Sequence, residues 1–221
     1  MIGPPVDQPP LWEYEARALQ RGARHIAGID EAGRGPLAGP VVAAAVILHP
    51  ADPIAGVDDS KKLTERRREA LFSEIQARAL AVGVGIIEPG EIDRINIYQA
   101  TLRAMAQAVA ALSAAGEHIH PDHLLIDALT LPGMPIPQQG IIKGDAKSAS
   151  IAAASIVAKV TRDRLMVHYD GLYPGYGFAG HKGYPTRAHR DAIHRLGPCP
   201  IHRKTFRGVA DTIRDGLAAE A

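Results

Sequence analysis

Four acidic residues occur where predicted strands or turns end. Asp30 and Glu31 follow the first predicted strand, Asp127 ends a later strand, and Asp145 lies in a glycine-flanked turn before a long helix. A carboxylate at such a place must be solvated, capped or bound to a cation, because an unpaired charge is very costly to bury. Taken singly, such an Asp is most often a cap or turn residue. Taken together, the four oxygen-donor side chains favour a site for a hard cation, Mg²⁺ or Mn²⁺, rather than zinc.

The loop that follows the first acidic pair is rich in glycine. Gly33, Gly35 and Gly39 can adopt positive φ and expose N–H groups to a phosphate or a hydroxyl. A dinucleotide-binding loop is excluded, because the glycine spacing is off by one, acids precede it, and a strand rather than a helix follows. A phosphate-binding P-loop at residues 140–148 is also excluded, because Gly144 and Lys147 are separated by two residues instead of being adjacent.

The acids depend for their positions on a series of strands and helices. Apolar, β-branched runs predict the strands, and amphipathic or alanine-rich runs predict the helices. The order of these elements predicts an α/β fold with a central mixed sheet that has helices on both faces. Thr64 is a suitable N-cap for one of the helices. The predicted strands cover residues 25–29, 41–48, 82–87, 123–126 and 139–142, and the predicted helices cover 64–79, 92–112 and 148–168, with a short helix near Trp12.

The composition is that of an ordinary globular protein. With 221 residues, 46% of them hydrophobic, the chain is long enough to form one domain with a proper core. Its longest apolar run, residues 41–48, is far too short to cross a membrane, and the N-terminus lacks the layout of a signal peptide. The single cysteine, Cys199, cannot form an internal disulfide. We therefore expect a cytoplasmic, monomeric protein without membrane association.

The charge is uneven along the chain. The net charge of +1 indicates nothing about an anionic partner, but residues 181–207 contain one acid, Asp191, and many bases. This stretch could follow a phosphate backbone or could be a solvated basic face. The bases are Lys182, Arg187, Arg190, Arg195, Arg203, Lys204 and Arg207. The paired spacing of a zinc site is absent from the same region, so structural zinc is not expected from His181, His189, His194, Cys199 and His202.

Five sequence blocks resemble the ribonuclease HII family. They come in the family's order over roughly residues 25–207, and chance agreement of all five is far rarer than a lone motif match. The Pro-containing N-terminal segment differs from the family's core pattern. The blocks are GIDEAGRGP at 28–36, DSKKL at 59–63, KGD at 143–145, the run 150–163, and HKGYPT at 181–186.

The resemblance implies a ribonuclease H-like fold and a catalytic, metal-binding quartet of Asp30, Glu31, Asp127 and Asp145. Phosphodiester hydrolysis needs an activated water and a neutralised leaving oxygen, and two divalent cations, Mg²⁺ or Mn²⁺, can supply both. The implied products carry a 3′-hydroxyl and a 5′-phosphate. The implied substrates are RNA·DNA hybrids and duplex DNA with an embedded ribonucleotide, which would be cut on its 5′ side.

The resemblance also implies residues that choose the substrate. Gly33, Arg34 and Gly35 would read the 2′-hydroxyl that distinguishes RNA from DNA. Tyr184 would pack against the sugar on the 3′ side, although by residue type alone it could be an amphipathic surface residue. The further candidates for contact with the substrate are Lys61, Lys62, Lys143, Lys147, His181 and Lys182.

We expect residues 1–20 to form a partly flexible tail and residues 21–221 to form a single catalytic domain, with a C-terminal helical region from about 185 to 221. Two alternatives stay open. Another two-metal nuclease of the same fold would lack the Gly-Arg-Gly and Tyr184 elements, and an inactive nucleic-acid-binding relative would lack one or more of the acids. All of these elements are present in the sequence.

Overall fold

A five-stranded mixed sheet forms the centre of the molecule. The computed structural model describes residues 10–112 and 119–219. The strand order is β3-β2-β1-β4-β5, in which β1 pairs antiparallel with β2 and parallel with β4. This arrangement confirms the predicted α/β fold with a mixed sheet. The strands are β1 (Ile26–Ala32), β2 (Val41–Ile47), β3 (Ala81–Ile87), β4 (His123–Asp127) and β5 (Gln138–Ile141).

Helices cover both faces of the sheet, as predicted. The described helices are α1 (Glu13–Gln20), α2 (Glu65–Arg78), α3 (Pro89–Ile95), α4 (Ile97–Leu112), α5 (Ala149–Leu172), α6 (Phe178–His181), α7 (Arg187–Leu196) and α8 (Val209–Ala219). The helix α4 packs with β1, β2 and β3 in one core cluster, and α5 with α2 packs on the opposite face. The strand β2 is buried along its whole length, because helices cover it on both sides.

Side-chain caps fix two helix starts that position the site. The Thr64 side chain accepts a hydrogen bond from the Arg67 N–H, and the Ser148 side chain accepts one from the Ile151 N–H. Each cap satisfies a backbone donor that has no partner inside its helix. The cap at Thr64 confirms the predicted start of that helix.

The predicted helix over residues 92–112 is interrupted. Asn96, with φ of 68°, separates α3 from α4, and its Oδ1 accepts a hydrogen bond from the Gln99 N–H. Asn tolerates positive φ better than most residues and caps helices well, so it can end one helix and begin the next. The apolar periodicity runs through the break and therefore does not reveal it.

Close packing of α5 on β1 depends on Gly28. A Cβ atom at this position would lie 2.0 Å from the carbonyl carbon of Ser150. Only glycine allows the start of α5 to lie against the strand in this way. The contact brings the segment just before α5 close to the end of β1.

A 3₁₀ turn at Pro10–Trp12 and the helix α1 confirm the short helix predicted near Trp12, and these residues pack against the core rather than forming part of a loose tail. Trp12 is buried in the cluster formed by β2, α2 and α5, and Ala18 packs with Leu125 and Ile151. The buried Glu15 accepts hydrogen bonds from the Ser148 Oγ–H (2.6 Å) and the Ser150 N–H (2.9 Å). The burial of apolar side chains holds this helix in place. Residues 1–9 of the expected tail lie outside the described residues.

The expected helical region at the C-terminal end contains α7 and α8. Its last residues, 220 and 221, lie outside the described part of the chain. None of the helices that the structure describes has both the length and the apolar character needed to cross a bilayer.

Candidate active site

Asp30 and Asp127 lie side by side on neighbouring parallel strands. The register pairs Ile29 of β1 with Ile126 of β4, so the next residue on each strand is one of these acids. Ile29 and Ile126 both pack in the cluster on the α4 face, and side chains alternate between the faces of a sheet. Both acids therefore point to the α5 face. Asp127 ends β4, whereas Asp30 and Glu31, which were expected just after the first strand, lie within β1, where its pairing with β2 continues beyond the last residue paired with β4.

The turn before α5 brings Asp145 to the same place. Residues Gly144–Ala146 form one turn of 3₁₀ helix after Lys143, whose φ is 57°. The Gly144 N–H donates a hydrogen bond of 2.7 Å to Asp127 Oδ1, which joins this turn directly to the end of β4. The Asp145 side chain is buried. Three separate segments of the chain thus supply the predicted quartet.

The quartet is an electrostatically unfavourable group of acids. Burial raises the pKa of Asp30 well above its ordinary value, and the charges of Glu31, Asp127 and Asp145 raise it further. Burial also raises the pKa of Glu31, against the opposing effect of Arg34. Burial, with the charges of Asp59 and Asp127, raises the pKa of Asp145. Such mutual repulsion of buried carboxylates is typical of sites that bind a cation or transfer a proton.

The donor set fits a hard divalent cation. Glu31 Oε2 is buried and has no hydrogen-bond partner among the described residues, which leaves an oxygen lone pair available for a cation. Within the described part of the chain, however, no three His, Cys, Asp or Glu side chains already form a complete metal-binding group. The side chains are neighbours rather than a finished coordination shell, and Mg²⁺ usually completes its shell with water and substrate oxygens.

Two basic residues partly offset the acids. Arg34 Nη1 lies 3.3 Å from Glu31 Oε1, and Lys61 Nζ lies 3.6 Å from Asp145 Oδ2. The Lys61 side chain is 78% exposed, so it can move towards a bound anion. Lys62 instead pairs with Asp58 at 3.1 Å. The other two predicted lysines, Lys143 and Lys147, are exposed on either side of Asp145.

One cleft of about 420 Å³ joins Asp30 and Glu31 to the glycine-rich loop, whereas Asp127 and Asp145 are not among the residues that line it. Tyr184 is 43% exposed and lines this cleft, 3.9 Å from the Cβ position of Gly35. A hydrogen bond of 2.7 Å between the Ser60 and Ser155 hydroxyls fixes the segment that carries Lys61 to α5. The predicted residues in the cleft are Asp30, Glu31, Gly33, Arg34, Gly35, Lys61 and Tyr184, and Ser60, Arg68, Ser155 and Lys159 lie there as well.

Two buried arginines donate hydrogen bonds to the backbone of the glycine-rich loop. Arg162 of α5 donates hydrogen bonds to the carbonyl groups of Pro40, Ala38 and Lys182, at 3.0–3.1 Å. Arg203 donates to the carbonyl groups of Gly33, Arg34 and Gly39, at 2.5–3.0 Å. Burial lowers the pKa of Arg162 to about 10 and that of Arg203 to about 9. These contacts fix the backbone of the loop.

Gly33 allows the loop backbone to lie directly against the Arg162 side chain. Its φ is +98°, and a Cβ atom there would lie 2.1 Å from Arg162 Nε. A larger residue would strain the backbone and displace the guanidinium group. The structural role of Gly33 is thus clear, whatever it contributes to contact with a substrate.

Sequence reasoning missed the roles of both arginines. Arg203 was counted in the basic stretch 181–207, but it is fully buried, so that stretch is not a continuous basic surface. Arg162 lies in a helix whose many small residues indicated only close packing. The partners of Arg203 lie about 170 residues earlier in the chain, and no local pattern indicates such a contact.

His181 and Lys182 have partners within the protein. The His181 ring hydrogen-bonds to the Tyr176 carbonyl group at 2.8 Å and accepts a hydrogen bond from the Gly183 N–H at 3.1 Å. The Lys182 ammonium group donates to the Ala179 carbonyl group. Within this motif, Tyr184 is the residue that lines the cleft.

Comparison with known proteins identifies relatives over most of the chain. A family model described as Ribonuclease HII matches residues 27–209. The Ribonuclease HII of Geobacter sulfurreducens is 62% identical over 204 residues, which cover 92% of each protein. The solved structure of ribonuclease H2 from Pyrococcus horikoshii OT3 has a TM-score of 0.69 and 30% identity, and the match covers 87% of this chain and 98% of that one.

A more distant solved structure shares the fold alone. Bst-RNase HIII, solved in complex with Mn²⁺, has a TM-score of 0.68 at 19% identity, and the match covers 98% of this chain and 76% of that one. The family predicted from the five sequence blocks is confirmed by the family model and by the curated relative. The chain belongs to the ribonuclease HII family, and it is an endoribonuclease that acts on RNA paired with DNA.

Proposed function

We propose that the enzyme cuts the RNA strand of RNA·DNA hybrids and also incises duplex DNA on the 5′ side of a single embedded ribonucleotide. The observation that carries this proposal is the cleft in which Asp30 and Glu31 meet the Gly-Arg-Gly loop and Tyr184. Cleavage chemistry and recognition of the sugar would thus take place within one continuous space. Because one chain supplies every residue of this cleft, we also propose that the enzyme acts as a monomer.

Asp30, Glu31, Asp127 and Asp145 would hold divalent cations, in keeping with the metal dependence of the family. When bound, two such cations activate the attacking water and neutralise the charge that develops on the leaving oxygen. The four carboxylates supply the oxygen donors that Mg²⁺ and Mn²⁺ favour. The Gly144 N–H donates to Asp127 Oδ1, and the Glu31 N–H donates to Asp30 Oδ1 (2.7 Å). One oxygen of each of these two Asp residues is therefore oriented before a cation binds.

The glycine-rich loop and Tyr184 would select the substrate. Gly33, Arg34 and Gly35 line the cleft next to the acids, where backbone and guanidinium donors can meet a 2′-hydroxyl. The Tyr184 ring would pack against the following sugar and so favour a junction at which deoxyribose follows ribose. Lys61 can meet a phosphate at the acids, and the exposed Lys62, Lys143 and Lys147 extend the basic surface around them.

A single assay tests this function. The enzyme is incubated with Mg²⁺ or Mn²⁺ and either a duplex that contains one ribonucleotide or the same duplex in all-DNA form. We expect incision on the 5′ side of the ribonucleotide, with 3′-hydroxyl and 5′-phosphate ends, and no cutting of the all-DNA duplex. Equal cutting of both would indicate another two-metal nuclease, and binding without cutting would indicate an inactive relative.

Asp30→Asn serves as the matched variant. It should reduce cleavage to background, because an amide is a much poorer ligand than a carboxylate for a hard cation. Duplex binding should remain largely intact, since the loop and the lysines are unchanged. Near-normal turnover in this variant would remove Asp30 from the proposed metal site.

A further inference from the structure

Three buried or half-buried imidazole rings lie in a row behind Tyr184. His181 stacks on His189 with ring centroids 4.3 Å apart, and His189 Nε2 lies 3.1 Å from His202 Nε2. His189 and His202 are both inaccessible to solvent. The ring of Phe178 packs against all three. No role in binding or catalysis described above uses His189 or His202.

The hydrogen-bond partners determine the tautomers of this pair. His189 Nδ1 lies 2.9 Å from the Tyr184 carbonyl oxygen, which can only accept, so Nδ1 carries the proton. His189 Nε2 must then accept from His202 Nε2–H. His202 Nδ1 in turn accepts from the Cys199 N–H at 2.9 Å. Every nitrogen of the pair has a partner when both rings are neutral, and burial, which lowers both pKa values to about 4, keeps them neutral.

This row of hydrogen bonds connects the two segments that read the substrate. At one end, His189 holds the backbone of Tyr184. At the other end, His202 forms an isolated β-bridge with Ala38 and precedes Arg203, which holds the carbonyl groups of Gly33 and Arg34. The rings therefore support the position of Tyr184 relative to the Gly-Arg-Gly loop, in addition to Arg162, which joins Lys182 to Ala38 and Pro40.

We infer that His189 is a positioning residue for Tyr184 and that His202 fixes the tautomer in which His189 can do so. This inference rests on the proposed role of Tyr184 at the junction between ribose and deoxyribose. Neither histidine lines the cleft. The expected effect is thus on the preference for a single-ribonucleotide duplex over a uniform hybrid, because only the former requires the junction to be recognised.

The test compares three substitutions at His189. The side-chain amide of Asn can donate to the Tyr184 carbonyl group from the position of Nδ1, whereas Gln places its amide at the position of Nε2, and Leu provides neither. The readout is the ratio of kcat/KM on the single-ribonucleotide duplex to kcat/KM on the uniform hybrid. We expect His189→Leu and His189→Gln to lower this ratio about tenfold, as for the loss of one well-placed hydrogen bond. His189→Asn should keep the ratio within about threefold of the wild type.

A second comparison separates positioning from general loosening. Leu112→Ala removes buried volume in α4, remote from Tyr184, and should leave the ratio unchanged at an equal loss of thermal stability. The inference is overturned if Leu112→Ala lowers the ratio as much as His189→Leu does, or if His189→Gln keeps it. If His189→Leu does not fold, the comparison of His189→Asn with His189→Gln still tests the inference, because only Gln should lower the ratio.

Tyr184→Ala distinguishes failure of the inference from failure of the proposed function. If Tyr184→Ala leaves the ratio unchanged, the proposed role of Tyr184 is wrong. If Tyr184→Ala lowers the ratio but the His189 variants do not, only the inference about His189 is wrong. If both hold, His189→Gln should cause no further fall in the ratio when added to Tyr184→Ala, because it acts through the tyrosine.

Discussion

Asp30 illustrates a residue whose proposed function opposes stability. Its carboxyl group is buried beside three other acids, and burial is the main cause of its raised pKa. We predict that Asp30→Asn stabilises the metal-free protein by roughly 1 kcal/mol, or about 2–4 °C in Tm, because one buried like charge is removed. Asn Oδ1 can still accept from the Glu31 N–H. Thermal unfolding in a chelator would measure the shift, and a lower Tm would show that the acids do not destabilise the protein.

Arg203, by contrast, stabilises the fold, since its single side chain fixes three carbonyl groups of the glycine-rich loop. We predict that Arg203→Lys destabilises the protein by about 3 kcal/mol, because one ammonium group cannot satisfy all of these buried acceptors. Cleavage should fall as well, since the loop loses its support. Denaturant unfolding and steady-state cleavage would measure both effects.

Arg195→Lys provides the matched control for Arg203. Arg195 is exposed and donates to the carbonyl group of Gly175. The same change in chemistry at this position should alter unfolding by less than about 0.5 kcal/mol. Equal effects at the two positions would contradict the role assigned to Arg203.

At the scale of elements, α1 supports the start of α5. Glu15 Oε1 accepts from both Ser148 and Ser150, whereas Oε2 is buried without a partner in the described regions. We predict that Glu15→Ala destabilises the protein by about 2 kcal/mol, because two buried donors lose their acceptor. Glu15→Gln keeps an acceptor oxygen and should lose less than half as much. Chemical denaturation would compare the two, and equal losses would show that the hydrogen bonds to Glu15 contribute little.

Much of the element pattern could be predicted from the sequence. Strands β1 to β4 each contain a run of apolar or β-branched residues, whereas β5 is mostly polar, and the cap at Thr64 confirms a local rule. The parallel pairing of β1 with β4 accounts for the proximity of Asp30 and Asp127, although only Asp127 ends its strand. These features depend on residues close together in the chain, so local pattern is sufficient.

Other elements depend on contacts that a local pattern does not contain. Asn96 divides a helix without any change in apolar periodicity. Trp12 and Glu15 follow a Pro-rich segment that resembles a loose tail, yet their partners lie in the core and at the start of α5. The basic residue Arg203 looks like a surface charge until the carbonyl groups around it are known. In each case the stabilising partner is remote in sequence.

At the scale of the whole molecule, a rise in pH should lower the contribution of the buried acids to stability, whereas bound metal ions should raise the stability. The raised pKa values of Asp30, Glu31 and Asp145 mean that the folded, metal-free protein binds protons more tightly than the unfolded chain. These groups therefore stabilise the folded protein at low pH, and this contribution is lost as the pH rises above the ordinary carboxyl range and the groups ionise. Metal ions compete with these protons, so we predict that stabilisation by Mn²⁺ is larger at pH 8 than at pH 5.

The expected size follows from mass action. At a metal concentration one hundred times Kd, stabilisation should reach about 2.7 kcal/mol, or roughly 5–10 °C in Tm. Thermal unfolding with and without Mn²⁺ at the two pH values would measure it, with Asp30→Asn as a control that should respond much less. A metal-induced shift that is the same at both pH values would contradict this linkage.

The hold of Arg203 on residues 33 and 34 also bears on how the enzyme is made. All four carboxylates have been synthesised by residue 145, but Arg203, which holds the glycine-rich loop, follows nearly 60 residues later. A ribosome that stops in this interval releases a polypeptide that has every acid of the quartet and lacks the arginine that shapes the loop. With the roles proposed above for the loop and the four acids, selectivity for RNA would thus be completed late in translation, after the means of cutting a phosphodiester has been encoded.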